Sequence, residues 1–73
     1  MSDRVINVVG KACPMPLIML AKETRGMQQG QTVEITGNDP IFEPSISEFC
    51  REKHHEILET ARDGRTVRML IRI

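Results

Sequence analysis

Asp63-Gly64, set between two strand-like runs of which the second alternates apolar with polar residues, limits how this chain can fold more than any other feature of its sequence. Asp-Gly supplies the positive φ that a tight hairpin turn needs, the flanking runs Glu56 to Ala61 and Arg65 to Ile73 read as its strands, and the second has the two-residue period of a half-buried strand. In the second run Val67, Met69, Ile71 and Ile73 fall on one face, and Arg68, Leu70 and Arg72 on the other. The apolar face of such a hairpin has to be covered by the rest of the chain.

The upstream segments supply that cover. Arg4-Val5-Ile6-Asn7-Val8-Val9 is rich in β-branched residues and stops at Gly10, which reads as a first strand. Gly10 to Ala12 form a tight connection. From Pro14 onward, Leu17, Leu20, Ala21, Thr24 and Gln28 recur on one helical face, and Gly30 is expected to end that helix near its C′ position. Thr32 to Thr36 alternates as a second strand, broken by the turn cluster Gly37-Asn38-Asp39-Pro40. Strands separated by a helix pair in parallel. Ser45-Ile46-Ser47-Glu48 has capping-box spacing, so a second helix is expected from about Ile46 to His54, with Ile46, Phe49 and Cys50 along its apolar face. The order β-α-β-α-β-β predicts an α/β (α+β) fold, a two-layer sandwich with both helices on one face of a four-stranded mixed sheet. The whole of 1–73 reads as a single domain, without repeat, linker or low-complexity segment.

Seventy-three residues bury only about 60 to 65 per cent of the unfolded chain's surface, which argues against a large substrate pocket. Ten basic residues balance ten acidic ones, so no net field draws the chain to nucleic acid or an anionic membrane. No apolar stretch approaches the roughly 20 residues of a membrane span, and Met1 to Arg4 lacks the layout of a signal peptide. A cytoplasmic protein, monomeric when free, is expected. Cys13 and Cys50 resemble neither a disulfide framework nor a paired metal knuckle, and in a reducing cytosol both are thiols.

The chemistry centres on Cys13-Pro14-Met15-Pro16, at a strand-to-helix boundary. Pro14 suits the first helical position, because its φ is already helical and the amide hydrogen it lacks has no intrahelical partner there. Cys13 is then expected at the N-cap, where the helix dipole and free amides favour a thiolate and lower its pKa below the roughly 8.5 of a free cysteine. Prolines at the first and third helical positions would remove two donors, leaving Met15 as the nearby N–H. Lys11 could add a screened positive charge. The stiff first turn holds the thiol outward, suited to meeting partner proteins in turn by exchange at sulfur. A buried structural cysteine beside a common helix-start proline is the plainer alternative. A thioredoxin-type site is disfavoured, because Cys-x-x-Cys would need cysteine at Pro16.

With Cys13-Pro14-x-Pro16 so placed, the chain resembles the TusA/SirA-like family of small sulfur-transfer proteins over nearly its whole length. The likeness extends to Gly10, to Met27 with Gly30, to Asp39-Pro40, to Phe49-Cys50 and to Leu70-Ile71-Arg72. It implies a sulfurtransferase of the carrier kind, in which Cys13 accepts sulfur as a persulfide and passes it on, with no cofactor and no metal. It implies protein partners: donors such as cysteine desulfurases or rhodanese-like or DsrE-like sulfurtransferases, and acceptors in tRNA thiolation, molybdenum cofactor synthesis or sulfur oxidation. The family's usual approach, Leu-Asp-x-Arg-Gly-Leu-x-Cys, appears here as Ile6-Asn7-Val8-Val9-Gly10-Lys11-Ala12-Cys13. After Asp39-Pro40 this chain has Ile41-Phe42-Glu43-Pro44 where polar or basic residues are usual. Both changes bear on partner identity.

Other residues have two readings each. Met15 and Met19, one turn apart, either form an adaptable docking surface or fill the core. Cys50, His54, His55 and Cys13 could ligate zinc, but Cys50 reads better as a buried thiol and the histidines as a solvated helix end. Arg68 and Arg72 read as a solvated strand face rather than a site for an anionic partner, and Phe42 as packing onto the second helix rather than as exposed beside the motif. Two other function classes stay open: a non-catalytic regulatory adaptor on the same fold, and a redox or metal sensor using both cysteines.

Overall fold

A computed structural model describes residues 3–12 and 14–73. The elements run β1 (Arg4–Asn7), α1 (Met15–Arg25), β2 (Thr32–Gly37), α2 (Phe42–Lys53), β3 (Glu56–Asp63) and β4 (Thr66–Arg72). They build one four-stranded sheet in the order β1-β2-β4-β3. β1 and β2 are parallel, joined across α1 as expected, while β4 lies antiparallel to both β2 and β3.

Strand alternation decides which face is covered. Ile6 stands opposite Ile35, and Ile35 opposite Met69, while Val33 meets Ile71, which in turn meets Ile57. These side chains point to one side, where Leu20 of α1 and Phe42, Ile46 and Cys50 of α2 close the core. The other side carries Val5, Arg68 and Arg72, all exposed, with Glu34 and Leu70 half-buried. Both helices therefore lie on one face, as the sequence predicts. On the open face Arg68 pairs with Glu34 at 3.8 Å and Arg72 with Glu56, contacts each worth about 0 to 1 kcal/mol in solvent.

Several boundaries differ from the sequence reading. The hairpin turn is Gly64-Arg65 rather than Asp63-Gly64, since Asp63 still pairs with Thr66. Gly64 at φ 64° takes the first central position, where a type II′ turn needs glycine. In β3 the register shifts between Ile57 and Glu59, a bulge at Leu58 that keeps Ile57 on the core side. α1 ends at Gly26 rather than Gly30, because the Gly26 and Met27 amides close the last turn on the carbonyls of Glu23 and Thr24. Gln28 is therefore outside the helix. Gly30, at φ 94°, instead turns the chain into β2, its N–H donating to the Ile73 carbonyl at 2.8 Å.

α2 starts at Phe42, about a turn before the expected capping box, and Ser45 lies inside it with its N–H on the Ile41 carbonyl. Asp39 governs the start: its carboxylate accepts from the Ile41 N–H at 3.2 Å and its carbonyl from the Phe42 N–H at 2.9 Å. Pro44 is tolerated because the first turn needs no amide there. Phe42, 1% exposed, locks the start from below, its ring lying against Gly37 where any Cβ would meet ring carbon at 2.5 Å. Among the described residues no helix is long and apolar enough to cross a membrane.

Candidate functional site

Because β1 and β2 are parallel and each leads into a helix, the segments 8–12 and 38–41 emerge side by side at their carboxyl ends. In open α/β sheets that edge is where loops are free to carry chemistry. Here the approach to the motif is tied down amide by amide. The Val8 N–H donates to the Thr36 carbonyl at 2.8 Å, and the Lys11 N–H to the Val8 carbonyl at 3.0 Å. The Val9 N–H donates to Asn7 Oδ1 at 2.9 Å, and the Gly10 N–H to Asn38 Oδ1 at 2.9 Å. Gly10 holds φ 86°, a conformation that suits glycine and bends the chain toward α1. An asparagine at position 7 keeps the acceptor oxygen that an aspartate would offer to Val9, so this departure from the family pattern leaves the local turn intact.

Cys13 lies outside the described residues, and so does its expected capping position. Its neighbours bring two corrections. α1 takes Pro14 as its N-cap (φ −96°, ψ 12°) and begins at Met15, one residue later than expected, which moves Pro16 to the second helical position. The Pro14 carbonyl already accepts the Ile18 N–H at 3.0 Å. The Met15 N–H, the donor expected to face a thiolate, is taken by the Ala12 carbonyl at 2.9 Å. What the first turn still offers an anion is its dipole, with no acidic side chain to oppose it. Lys11 is exposed and makes no ion pair with a described residue.

Met15 and Met19 part company. Met15 is 43% exposed, whereas Met19 packs against the core, so only the first remains available for docking. Ile18, 52% exposed and a turn beyond Met15, is not singled out by periodicity. With Val9 and Ile41, it places exposed apolar side chains on the segments flanking the motif. Asn38 is a positioning residue that the sequence reading misses; its only signal is membership of the Gly37-Asn38-Asp39-Pro40 turn cluster. A groove of 530 Å³ runs from Asn38 and Pro40 to the hairpin tip at Arg65, crossed by the Arg62 to Glu43 ion pair.

Cys50 is 1% exposed and lies eight residues along α2, roughly 12 Å from the start of that helix. Burial pushes its thiol up to about 11, well above the range in which a cysteine reacts at neutral pH. Keeping Cys50 neutral stabilises the fold fully below its unfolded value near 9, and that contribution is lost as pH rises through about 11. Urea midpoints of the native chain should therefore fall more steeply above pH 9 than those of Cys50→Ala; parallel profiles would contradict this assignment. His54, in the left-handed region at φ 62°, caps α2, and His55 packs its ring 5.9 Å from that of Phe49. Among the described residues no group of three or more His, Cys, Asp or Glu is placed to hold a metal.

Residues 4–73 match the family model described as sulfurtransferase TusA. Among solved structures, a SirA-like protein from Desulfitobacterium hafniense superposes with a TM-score of 0.81 at 18% identity, covering 94% of this chain and 95% of that one. That likeness bears on the fold, and the mixed four-stranded sheet with two helices is shared.

Proposed function

This chain belongs to the sulfurtransferase TusA family, whose role is sulfur transfer between partner proteins, and on that premise we propose that it is a carrier whose Cys13 holds the sulfur. The Cys13 thiolate attacks the outer sulfur of a donor's persulfide, the donor's S–S bond breaks, and the donor cysteine leaves as a thiolate. Cys13 now bears the persulfide. An acceptor thiolate then attacks that outer sulfur and releases Cys13 unchanged, so no external oxidant or reductant is consumed. Gly10 and Lys11 bring the chain to the thiol, Pro14 and Pro16 stiffen the start of α1, and Met15 contributes to docking.

The observation that carries this reading is the surface around the motif. Val9, Met15, Ile18 and Ile41 expose apolar area beside a loop whose amides are fixed from Val8 to Lys11. Such a surface suits successive protein partners better than a small substrate. Donors of the cysteine desulfurase, rhodanese-like or DsrE-like kind and a thiol-bearing acceptor fit the chemistry, and a cytoplasmic location fits the reduced thiol it requires.

The test is flow of labelled sulfur from a cysteine desulfurase to an acceptor protein, with the chain present or absent. Native chain should speed transfer and Cys13→Ala should not. If Cys13→Ala is as effective as the native chain, the protein acts as an adaptor and the carrier reading fails. A milder effect is expected for Asn38→Ala. It frees the Gly10 amide, loosening the loop by about 1 kcal/mol, so loading should slow several-fold while the thermal midpoint moves little. Unchanged loading would show that the loop is held without Asn38.

A further inference from the structure

At the other end of α1, some 16 Å from the motif by helical rise, lies a second groove of 230 Å³ lined by Ala21, Thr24, Arg25, Phe49, Lys53 and His55. Its charged side chains are of one sign, and they offset the partial negative charge at the carboxyl ends of the two helices. Arg25 comes from the last turn of α1 and Lys53 from the last turn of α2, and neither has an ion-pair partner among the described residues. Of the neighbouring carboxylates, Glu23 pairs with Arg4 at 3.0 Å, and Glu52 lines the adjoining groove on the other side of Phe49 with Leu17 and Glu48.

Nor are these cations occupied in capping the helices. The ends of α1 and α2 are closed by backbone, with the Gly26 and Met27 amides on Glu23 and Thr24, and the His54 and His55 amides on Arg51 and Cys50. The same groove is lined by apolar surface from Ala21 and the Phe49 ring, with His55 tilted 53° against it. Burial first, then Lys53 and His54, holds the His55 imidazole below its ordinary value.

We infer that this groove is an anion site for a small phosphate monoester, its dianionic phosphate held between Arg25 and Lys53 and its organic group lying on Ala21 and Phe49. Two cations on separate helices match a tetrahedral group carrying about −1.5 to −2 charges better than a carboxylate, which one arginine fork satisfies. The groove shares no lining residue with the motif, so the inference goes beyond the carrier reading and stands or falls separately from it.

Phenyl phosphate is the probe, titrated into the labelled protein at constant ionic strength while amide resonances are followed. Saturable shifts are expected at residues 21–25 and 49–55, equally in Cys13→Ser. Inorganic phosphate and benzoate should each bind several-fold more weakly, since one lacks the ring and the other the second charge. Arg25→Gln with Lys53→Gln should weaken phenyl phosphate by roughly tenfold or more, for loss of both charge-assisted contacts. Shifts that fail to saturate, that spread over all surface cations, or that persist in the double variant would overturn the site. Benzoate binding as tightly as phenyl phosphate would overturn the ligand class.

Discussion

Phe42→Ala is expected to lower the thermal midpoint by roughly 15 °C or more, the largest stability effect of any single truncation in this fold. Phe42 is among the largest fully buried side chains, and its ring fills the space over Gly37. Truncating a buried phenylalanine costs about 3 to 5 kcal/mol, against a total of about 4 to 11 kcal/mol for a chain of this length. The loss also reaches the site, because Phe42 fixes the start of α2 directly after the loop whose Asn38 holds Gly10. The complementary change, Gly37→Ala, drives a methyl group into the same ring and should cost about 1 to 3 kcal/mol. Combined with Phe42→Leu, part of that cost should disappear, a coupling that a double-mutant cycle reads directly. Additive losses would place the Phe42 ring elsewhere.

Cys13→Ser is expected to abolish sulfur loading while leaving stability within about 0.5 kcal/mol. A serine hydroxyl stays protonated at neutral pH, and its oxygen cannot take up a sulfane sulfur by thiol exchange, so the loss should be complete rather than partial. The substitution is mild for the fold, since serine is nearly the size of cysteine and position 13 precedes the N-cap at Pro14. Cys50→Ala should behave in the opposite way. It removes a buried thiol from the core, costing about 1 kcal/mol or more, yet leaves loading intact. The pair separates chemistry from packing with one measurement of each kind.

The legible part of the sequence is the part that periodicity and turn chemistry encode. Val67, Met69 and Ile71 alternate into the core as their spacing requires, and the parallel β1 and β2 follow from the helix between them. The helix ends are less legible, because competing signals stand close together. Ser45 and Glu48 form a valid capping pattern, but Asp39 offers an earlier start, and burial of Phe42 decides in its favour. Gly26 and Gly30 both suit a helix end, and the nearer one is used. In the site, the motif itself is conspicuous. Its support is not: the Asn38 contact to Gly10 spans 28 residues in sequence, and no local pattern announces it. Ile18 falls off the face of Leu17, Leu20, Ala21 and Thr24, so spacing does leave it outward, but nothing local ties it to the exposed apolar groups of the other segments.

The most direct test of Cys13 as the sulfur carrier is the intact mass of the chain after incubation with a cysteine desulfurase and cysteine, without reductant. The native protein and Cys50→Ala should each gain one sulfur atom that dithiothreitol removes, and Cys13→Ser should gain none. A full, reducible gain in Cys13→Ser would contradict the account, as would the absence of any gain in the native chain with desulfurase, rhodanese-type and polysulfide donors alike.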